Sequence, residues 1–521
     1  MKIVLIEKNH YADSIILLSA TACIMDLEGV HDAVVVMGNE MSKSILQDFG
    51  ALTAEAAAAT ANDLIIAVDC DDASIEEMIW KAIHKLMEQG QQKCTGADVE
   101  KTYPTLKLAA QEHPDANLAV ISLPGEFAAA QAATALDMNM HCFIFSDNVP
   151  LEDEIRLKKI ALEKDLLVMG PGCGVSIINN ISLGLMSKVR RGPLGIVGAS
   201  GSGMHEIAMI AHRYGVGISQ AIGTGGRDLS EAVGGITMCQ GIQALDADEK
   251  TKVIVLVSKP PHPQTEQRIL AQVSTCHKPV VVFFLGGDRN AVRKAGAYAP
   301  STLEEAALMA VALCCDKPVV ERDIIAQDKK ELAYQAMQER AKLKPEQKYI
   351  RGVFCGGTHS EESVLMLKEL VPELHSNLHF GGALPMEDPH VSMRNALTDM
   401  GDETFTKGKP HPVMDPSLLV PRLLQEAADP ETAVILFDVL TGYGAHEDPV
   451  GVLGKALSQI RTQCEKEGRH ISLVCSLCGT DIDPQGLDVQ RKRLEELNVW
   501  LLPSNAKAAI AAGLIVGGEQ A

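Results

Sequence analysis

The sequence predicts an α/β protein made of several doubly wound domains whose sheets are mostly parallel. Short runs of β-branched residues alternate with amphipathic stretches along most of the chain, which is the pattern of βα units. The 521 residues exceed what one hydrophobic core accommodates, so roughly three domains are expected. Aromatic residues make up only 4% of the chain, whereas alanine and glycine are plentiful, and small residues let helices pack closely against a sheet.

The first part of the chain divides at changes in composition. Residues 1–90 are predicted to form an N-terminal α/β domain, with strands at 3–6, 33–37 and 64–68. Residues 91–117 are polar, lack apolar periodicity and are interpreted as a linker. Two further α/β regions, 118–180 and 181–320, follow it, with predicted strands at 118–123, 142–145, 167–169, 194–198, 253–257 and 280–284.

The rest of the chain is predicted to form a third α/β region. Residues 321–348 are highly charged and predict a surface helix that joins two lobes. The C-terminal domain, 349–521, has predicted strands at 349–354, 434–438, 471–475 and 499–502. Residues 376–421 are rich in Gly, Pro, Asp and His, and such long irregular segments of compact domains are usually functional or mobile.

Charge and composition exclude several kinds of partner. The net charge is −21 and no long basic run is present, which argues against nucleic acid. No apolar run approaches the roughly 18 residues of a membrane span, and the opening strand-length run does not resemble a signal peptide. The 13 cysteines show no metal-binding spacing, so no metal site is predicted and the expected location is the cytoplasm.

The first glycine-rich turn lies between a predicted strand and a predicted helix. The N–H groups of a first helical turn bind anions, and glycine allows a ligand to approach the backbone closely. A tight βα turn with serine as the N-cap explains the same sequence equally well. The predicted phosphate-binding residues of this turn are Ala199, Ser200, Gly201, Ser202 and Gly203.

A second turn of the same kind contains Gly356, Gly357 and Thr358. Thr358 is predicted to be the N-cap of the next helix, with Glu361 completing a capping box, so this turn alone favours a structural role. Two such turns in separate lobes are better evidence, because two converging helix N-termini would bind a phosphoryl group strongly. His359 lies at this second helix N-terminus, which should discourage its protonation and suit it as a hydrogen-bond donor.

A third glycine-rich stretch, Gly223, Thr224, Gly225 and Gly226, also follows a strand-like run and is predicted to contact the ligand. Arg227 comes next and could hold a carboxylate or phosphate with two hydrogen bonds. A surface turn formed by Arg227 and the following aspartate is the alternative.

Several other side chains are candidates for chemistry. On the irregular segment, His411 is a candidate general base and Lys409 a candidate carboxylate clamp, with an ordinary structural loop as the alternative. His446 precedes two acidic residues that would favour its protonated form, although a helix-capping turn fits equally well. Lys259 begins a proline-rich turn and faces either ligand or water. The predicted catalytic residues are His359, His411, His446 and Arg227.

Longer segments resemble a known family. Residues 118–125, 168–174, 195–203 and 222–228 resemble, in order and spacing, the α-subunit of succinyl-CoA synthetase. Residues from 349 to the end look like the CoA-ligase domain of its β-subunit, which makes 118–180 a CoA-binding-like half-domain and 181–320 an α-subunit-like ligase domain. This fused arrangement is similar to the FdrA family, a similarity strengthened by the segments 145–149, 227–230, 409–412 and 444–449.

The resemblance implies a shared phosphate site, because the matching turns of the synthetases both face a phosphorylated histidine. Three departures stand out. The stretch 293–298 corresponds to the segment of the phosphorylated histidine but contains no histidine. The sequence has no ATP-grasp domain, and the N-terminal region lacks the glycine-rich loop that grips CoA. The resemblance therefore implies no certain cofactor, and CoA is a candidate that these departures weigh against.

Three functional hypotheses follow. The FdrA resemblance implies a subunit of a carbamoyltransferase that acts between carbamoyl phosphate and oxamate, the precursor of oxalurate, in allantoin catabolism. The expected ligands are then an acyl or carbamoyl phosphate and a small carboxylic acid, and the expected partners are other subunits of the complex. The alternatives are an acyl-CoA synthetase of the succinyl-CoA synthetase type and, outside enzymes, a scaffold that binds a phosphate ligand.

Overall fold

A computed structural model describes residues 1–10, 14–25, 27, 29–72, 75–81, 83, 102–320, 323–407 and 409–517. The chain forms two compact units. The N-terminal unit is Met1–Pro104 with Lys407–Pro410, and the larger unit is Thr105–Thr406 with His411–Ala521.

The N-terminal unit contains a three-stranded sheet in the order β1-β3-β2. Both strand pairs are antiparallel, so the prediction of a parallel sheet is wrong here. The reason is the connection between β2 and β3. It returns the chain to the same end of the sheet at which β2 finished, where the Gly38 N–H donates to the Asp63 carbonyl. The elements are β1 (Lys2–Glu7), α1 (Ser14–Met25), β2 (Val30–Met37), α2 (Glu40–Asp48), α3 (Ala54–Ala58) and β3 (Leu64–Cys70).

The larger unit begins with a small parallel sheet in the order β4-β5-β6. Helix α5 packs on it through four buried alanines, which is the close packing that the alanine content predicts. Helix α4 falls inside the stretch interpreted as a linker, of which residues 91–101 lie outside the described ranges. The elements are α4 (Leu106–Glu112), β4 (Leu118–Ile121), α5 (Gly125–Asp137), β5 (His141–Ile144), α6 (Leu151–Glu163) and β6 (Val168–Met169).

The second sheet of this unit has six strands in the order β12-β11-β9-β10-β7-β8. Its first four strands are parallel, and β7 and β8 form an antiparallel hairpin at the edge. The elements are β7 (Val175–Ile178), β8 (Ile181–Gly184), β9 (Arg191–Gly198), α7 (Gly201–Arg213), β10 (Ile218–Gly223), α8 (Ile236–Ala247), β11 (Val253–Ser258), α9 (Pro263–Val273), β12 (Val280–Phe284), α10 (Arg289–Lys294) and α11 (Leu303–Cys314).

The third sheet has seven parallel strands in the order β15-β14-β16-β13-β17-β18-β19. Helix α12 packs against α18, so it is part of this lobe and buries Leu332 and Ala336. The elements are α12 (Ile324–Arg340), β13 (Tyr349–Phe354), α13 (Gly357–Leu367), β14 (Leu374–Ser376), β15 (Leu384–Pro385), β16 (Asn395–Asp399), α14 (Glu403–Thr406), a 3₁₀ helix (Pro416–Leu419), α15 (Val420–Ala428), β17 (Thr432–Leu440), α16 (Pro449–Glu467), β18 (Ser472–Cys478), α17 (Leu487–Glu496), β19 (Trp500–Leu502) and α18 (Asn505–Gly517).

Each predicted strand coincides with a strand of the structure, and the predicted class of mostly parallel α/β sheets is confirmed. The segment 376–421 is more regular than predicted, because it contains β16, a buried strand of the third sheet. Its polar ends hide it in the sequence. The Asn395 side chain is satisfied inside the sheet, where it accepts from the Ile350 N–H and donates to the Pro372 carbonyl.

One apolar core joins the two larger sheets. Helix α7 lies within it, and its residues from 203 to 212 are buried. The side chains of Ile207 and Ile210 belong to the same core as Leu303 of α11 and Phe437 of β17. The carboxyl ends of β9 and β13 are therefore held at a fixed separation by close-packed side chains.

A buried lysine ties the small parallel sheet to the second sheet. Lys158 of α6 is fully buried, and its Nζ lies 2.7 Å from Asp228 Oδ1 and 3.0 Å from Glu154 Oε1. The same ammonium donates to the Thr224 carbonyl at 2.9 Å. Because a buried charge is tolerated only when it is paired, this contact fixes the loop that follows β10.

We predict that Lys158→Met destabilises the protein by about 3–5 kcal/mol, because it leaves the buried Asp228 carboxylate without its cation. The adjacent Lys159 is exposed, so Lys159→Met is a matched control that should change stability by at most about 0.5 kcal/mol. Urea unfolding followed by circular dichroism measures both variants. Equal midpoints for the two variants would show that the buried network contributes no stability.

Candidate functional site

The two glycine-rich turns predicted to share a ligand lie against each other. The Ser200 Oγ and Thr358 Oγ1 atoms are 2.7 Å apart. Ser200 is the N-cap of α7 and Gly356 is the N-cap of α13, and neither accepts a side-chain hydrogen bond from its helix. The first-turn N–H groups therefore have no capping side chain at either helix. The structure brings the two turns together, and ligand binding between them stays a prediction.

The predicted capping box of α13 is wrong. The helix begins at Gly357, so Thr358 lies inside its first turn and is not the N-cap. The Thr358 hydroxyl bonds across the cleft to Ser200, and the Glu361 carboxylate pairs with Lys259 at 2.6 Å. Thr358 and Glu361 therefore make contacts with the other lobe and do not cap the helix.

The glycines of both turns leave space in the cleft. A Cβ atom on Gly356 would lie 3.0 Å from Ser202 Cβ, and one on Gly357 would lie 2.8 Å from Asp399 Oδ2. A Cβ atom on Gly201 would meet nothing closer than Val175, at 3.9 Å. Neither Gly201 nor Gly357 has a left-handed backbone. The nearby Asp399 oxygen leaves no room for a side chain at position 357, whereas a Cβ atom fits at position 201.

Behind the turns, His359 is clamped between two buried carboxylates. Its Nδ1 lies 2.8 Å from Asp438 Oδ2 and its Nε2 lies 3.0 Å from Glu206 Oε2. Burial by itself would lower the pKa of His359, but the hydrogen bond to Asp438 and the ion pair with Glu206 raise it to about 10. The expectation that the helix N-terminus keeps His359 neutral is wrong, because two carboxylates in direct contact outweigh a helix end.

Asp438 and Glu206 extend this clamp to the backbone of both lobes. Asp438 accepts hydrogen bonds from the N–H groups of Cys355 at 2.7 Å and Gly356 at 3.0 Å, which shapes the second turn. Glu206, on α7, accepts from the Asn505 N–H at 2.9 Å. The imidazolium therefore connects the helix of the first turn to the strand that supports the second.

A second buried network lies one residue away. His205 Nε2 is 2.6 Å from Ser187 Oγ, and that hydroxyl donates to Asp483 Oδ2 at 2.8 Å. Thr441 also donates to Asp483 Oδ2. Burial lowers the pKa of His205 to about 4. At neutral pH His205 is therefore neutral, whereas His359 carries a positive charge. All of these side chains are buried, so we interpret the network as structural support for the cleft.

Lys259, Asp399 and His411 supply the remaining charge of the cleft. The Lys259 side chain is 54% exposed and faces Glu361. Burial raises the pKa of Asp399 to about 7 and lowers the pKa of His411. A Cβ atom on Gly401 would lie 2.7 Å from His411 Nε2 and 3.1 Å from Asp399 Oδ1, so these two groups border the same small space.

The third glycine-rich stretch serves packing. A Cβ atom on Gly223 would lie 2.3 Å from Cys173 Sγ, and one on Gly225, whose φ is +83°, would lie 2.4 Å from the Pro171 carbonyl. The Thr224 N–H donates to the Gly198 carbonyl, which joins this stretch to β9. Only Gly226 has open space on its Cβ side. Contact of this stretch with a ligand stays a prediction.

Arg227 is engaged by the protein. Its Nε lies 2.9 Å from Glu154 Oε2, its Nη2 donates to the Val149 carbonyl at 2.7 Å, and its side chain is 44% exposed. Grip of a ligand by Arg227 stays a prediction. Lys409 belongs to the N-terminal unit, and its predicted role is likewise untested.

His446 fits the capping alternative. Its Nδ1 accepts from the Asp448 N–H at 3.0 Å. Asp448 is the N-cap of α16 and accepts from the Gly451 N–H, while its carboxylate also pairs with Arg493. These bonds fit the helix-capping alternative, and a catalytic role of His446 stays a prediction.

Sequence reasoning missed Glu206, Asp438 and Asp399. Two of them, Asp438 and Glu206, have a signal in the sequence. Asp438 interrupts the apolar strand Thr432–Leu440, and Glu206 stands in the apolar helix Gly201–Arg213. A charge inside a buried element needs a partner, so these positions mark sites where a cation or hydrogen-bond donors must lie nearby.

Within the described ranges, no three or more His, Cys, Asp and Glu side chains are grouped as they would be around a metal ion. The helices of those ranges include none that is both long and apolar enough to cross a membrane.

Three known families match separate parts of the chain. Residues 1–103 match the family described as AllF, heavy metal-associated domain. Residues 190–286 match a CoA binding domain, and residues 353–515 match the CoA-ligase family. In the N-terminal unit Cys70 is buried, and its Sγ lies 3.6 Å from the Met1 carbonyl oxygen and 3.5 Å from the Asp72 carbonyl oxygen.

Relatives match over different lengths. The protein YahF of Escherichia coli (strain K12) is 39% identical over 525 residues, which cover 99% of this chain and 99% of that protein. The α-subunit of the ADP-forming succinate–CoA ligase of Aquifex aeolicus (strain VF5) is 29% identical over 199 residues, which cover 37% of this chain and 64% of that subunit.

Solved structures align at low scores. The ATP citrate lyase from Methanothrix soehngenii, solved with citrate and coenzyme A, has a TM-score of 0.37 and 14% identity, and the alignment covers 80% of this chain and 84% of that chain. An acetyl-coenzyme A synthetase from Ca. Korarchaeum cryptofilum, solved with phosphate and ADP, has a TM-score of 0.31 and 16% identity, with 81% and 87% covered.

The charge of His359 predicts how stability depends on pH. Its pKa is raised from 6.5 to about 10, so its contribution is complete below 6.5 and is lost as the pH rises through 10. The pKa values of Asp399 and Glu362 are raised to about 7 and 8, so their contributions to stability are lost at lower pH than that of His359. Between pH 8 and 10 we expect the unfolding free energy to fall by up to about 1.4 kcal/mol per pH unit.

Chemical denaturation at several pH values tests this expectation. His359→Gln should be less stable at neutral pH and should flatten the alkaline slope. His277→Gln is the control, because His277 is 90% exposed and its removal should leave the slope unchanged. An identical slope in wild type and His359→Gln would contradict the assignment of a buried imidazolium.

Proposed function

The chain belongs to the FdrA family of succinyl-CoA synthetase-like proteins, and we propose that it is an enzyme that processes an acyl phosphate. The observation that supports this proposal most strongly is the meeting of the uncapped N-termini of α7 and α13. Each helix end presents about half a positive charge, and a partly buried anion gains up to ~2 kcal/mol from one such end. Lys259, which pairs with Glu361 at 2.6 Å, adds a cationic side chain at the rim of the cleft.

Acid–thiol ligation is the first candidate reaction. The CoA-ligase match and the similarity to succinate–CoA ligase subunits favour it. In the direction of thioester synthesis, a thiol attacks the carbonyl carbon of the acyl phosphate, the bond between that carbon and the phosphate oxygen breaks, and phosphate leaves. The paired helix ends would hold the departing phosphate and stabilise its growing charge.

The fit to CoA itself is poor at the edge where α/β sheets bind ligands. Helix α6 follows β5 at the carboxyl edge of the small sheet, and its first turn carries Glu152, Asp153 and Glu154. Gly125, at the start of α5, is buried against the Asp147 carbonyl. Glu154 is neutralised by Lys158 and Arg227, but Glu152 and Asp153 are not buried and would repel the phosphates of CoA. We therefore assign no chemical step to bound CoA.

Carbamoyl transfer is the second candidate reaction. The stretch 293–298, which follows β12, contains no histidine to accept a phosphoryl group, so the donor must arrive already activated. Carbamoyl phosphate meets this requirement. The nitrogen of oxamate would attack the carbamoyl carbon, and phosphate would again leave into the cleft, giving oxalurate.

Phosphate release distinguishes the two reactions. We expect the full chain, alone or with its partner subunits, to release phosphate from carbamoyl phosphate in the presence of oxamate, or from acetyl phosphate in the presence of CoA. Product analysis by mass spectrometry separates oxalurate from a thioester. If neither donor is consumed but phosphate binds, the chain is a ligand-binding scaffold. If phosphate does not bind at all, the proposed site is wrong.

We predict that Gly201→Val weakens phosphate binding by about tenfold or more, because the side chain occupies the space at the α7 end, which contributes up to ~2 kcal/mol. The fold should persist, since a Cβ atom on Gly201 meets nothing closer than 3.9 Å. Gly454→Val in α16 is the matched control, because it is also a helical glycine whose nearest neighbour lies at an ordinary 3.7 Å. Calorimetric titration compares the two, and unchanged affinity in Gly201→Val would place the anion elsewhere.

A further inference from the structure

We propose that Asp399 controls anion entry into the cleft, donating a hydrogen bond to the bound anion as a carboxylic acid and excluding it as a carboxylate. This inference rests on the proposed function, because it requires an anion between α7 and α13. It adds a coupled event, in which a proton is taken up from solvent when the anion binds and returned when the anion leaves.

The backbone of Asp399 is held firmly at the edge of the third sheet. Asp399 ends β16 and stands beside Phe354, the last residue of β13. Its N–H donates to Asn377 Oδ1 at 2.8 Å, and its carbonyl accepts from Asn377 Nδ2 at 3.1 Å. Its Oδ1 accepts from the Gly401 N–H at 2.9 Å. These bonds leave the carboxyl group a single orientation.

That orientation aims the other oxygen at the N-terminus of α13. A Cβ atom on Gly357 would lie 2.8 Å from Asp399 Oδ2, so the oxygen stands directly over the first turn. Within the described part of the chain Oδ2 has no hydrogen-bond partner, although Asp399 as a whole is only 7% exposed. An oxygen without a protein partner, placed at the first turn of α13, can meet a ligand that enters the cleft.

The groups around Asp399 allow it to be either neutral or charged near neutral pH. Burial raises its pKa to about 7; the Gly401 hydrogen bond lowers it, Asp402 and Asp438 raise it, and Lys259 lowers it. His411 borders the same space and adds no charge of its own, because burial lowers its pKa. Its Nδ1 accepts from the Val413 N–H, which places the ring proton on Nε2, facing Gly401.

Two states of the α13 end follow from this arrangement. An ionised Asp399 places its own negative charge at the helix end, where it repels an incoming anion. A protonated Asp399 leaves that end electrostatically open and offers an O–H donor. The carboxyl group therefore favours binding only in its acid form, and the proton it holds is the one taken up from solvent.

Titration of the full chain with sulfate tests the proposal, because sulfate does not change its own charge near neutral pH. Calorimetry one pH unit above 7, in two buffers with different ionisation enthalpies, should show uptake approaching one proton for each sulfate bound. Above pH 7 the affinity should fall by about tenfold per pH unit. Sulfate binding to wild type without proton uptake would overturn the proposal.

Three variants identify the group. Asp399→Asn should bind sulfate without proton uptake and with an affinity that no longer depends on pH; uptake that persists would overturn the proposal. Asp402→Asn, the matched control, removes a neighbouring carboxylate and should keep the uptake, with its midpoint moved to lower pH. His411→Gln should also keep it, and loss there would assign the proton to His411.

The outcomes separate the two levels of inference. Failure of wild type to bind sulfate or phosphate at any pH defeats the proposed function. Anion binding with no linked proton defeats only the role of Asp399. Circular dichroism of each variant verifies its fold, and the wild-type titration decides the question of proton uptake even if Asp399→Asn does not fold.

Discussion

The site depends on one buried cation held between two buried anions. His359 contacts Asp438 and Glu206, and these carboxylates in turn accept backbone N–H groups of Cys355, Gly356 and Asn505. Taking three charges out of water is costly unless each is paired and hydrogen-bonded. Displacing any one of these three side chains would leave a buried charge without its partner. The positions of α7 and α13, and hence the width of the cleft, follow from this constraint.

The N-termini of α7 and α13 differ in the negative charge that surrounds them. Asp438 already engages the first N–H groups of the second turn, and Asp399 stands over Gly357. The α7 end has no acidic residue in its first turn, and at Gly201 there is room for a Cβ atom. An incoming anion therefore finds an unobstructed helix end on one side and an end that already faces carboxylates on the other. Binding strength at the second end depends on protonation, whereas binding at the first does not.

The fold could be predicted from the sequence further than the site could. Strand positions follow from apolar runs, and the turns follow from glycine, because both are local signals. The antiparallel course of β3 was not predictable, since apolar patterns carry no strand direction. Thr358 and Glu361 match a capping box locally, but contacts with Ser200 and Lys259 in the other lobe decide their roles. The charge of His359 likewise depends on Glu206, more than a hundred residues earlier in the chain.

Glycine-rich turns of similar sequence thus serve different purposes. The space available to a Cβ atom at each glycine distinguishes a packing role from a ligand-binding one. Gly223 and Gly225 are required because a Cβ atom would strike Cys173 or Pro171, so their lack of a side chain serves packing between strands. Gly201 has room for a Cβ atom, so the fold does not require glycine there. A helix start is also more stable with a better helix former than glycine. A glycine that packing does not require, at a helix end that no side chain caps, is explained by a ligand that approaches it from outside. The candidate site is therefore the cleft between α7 and α13.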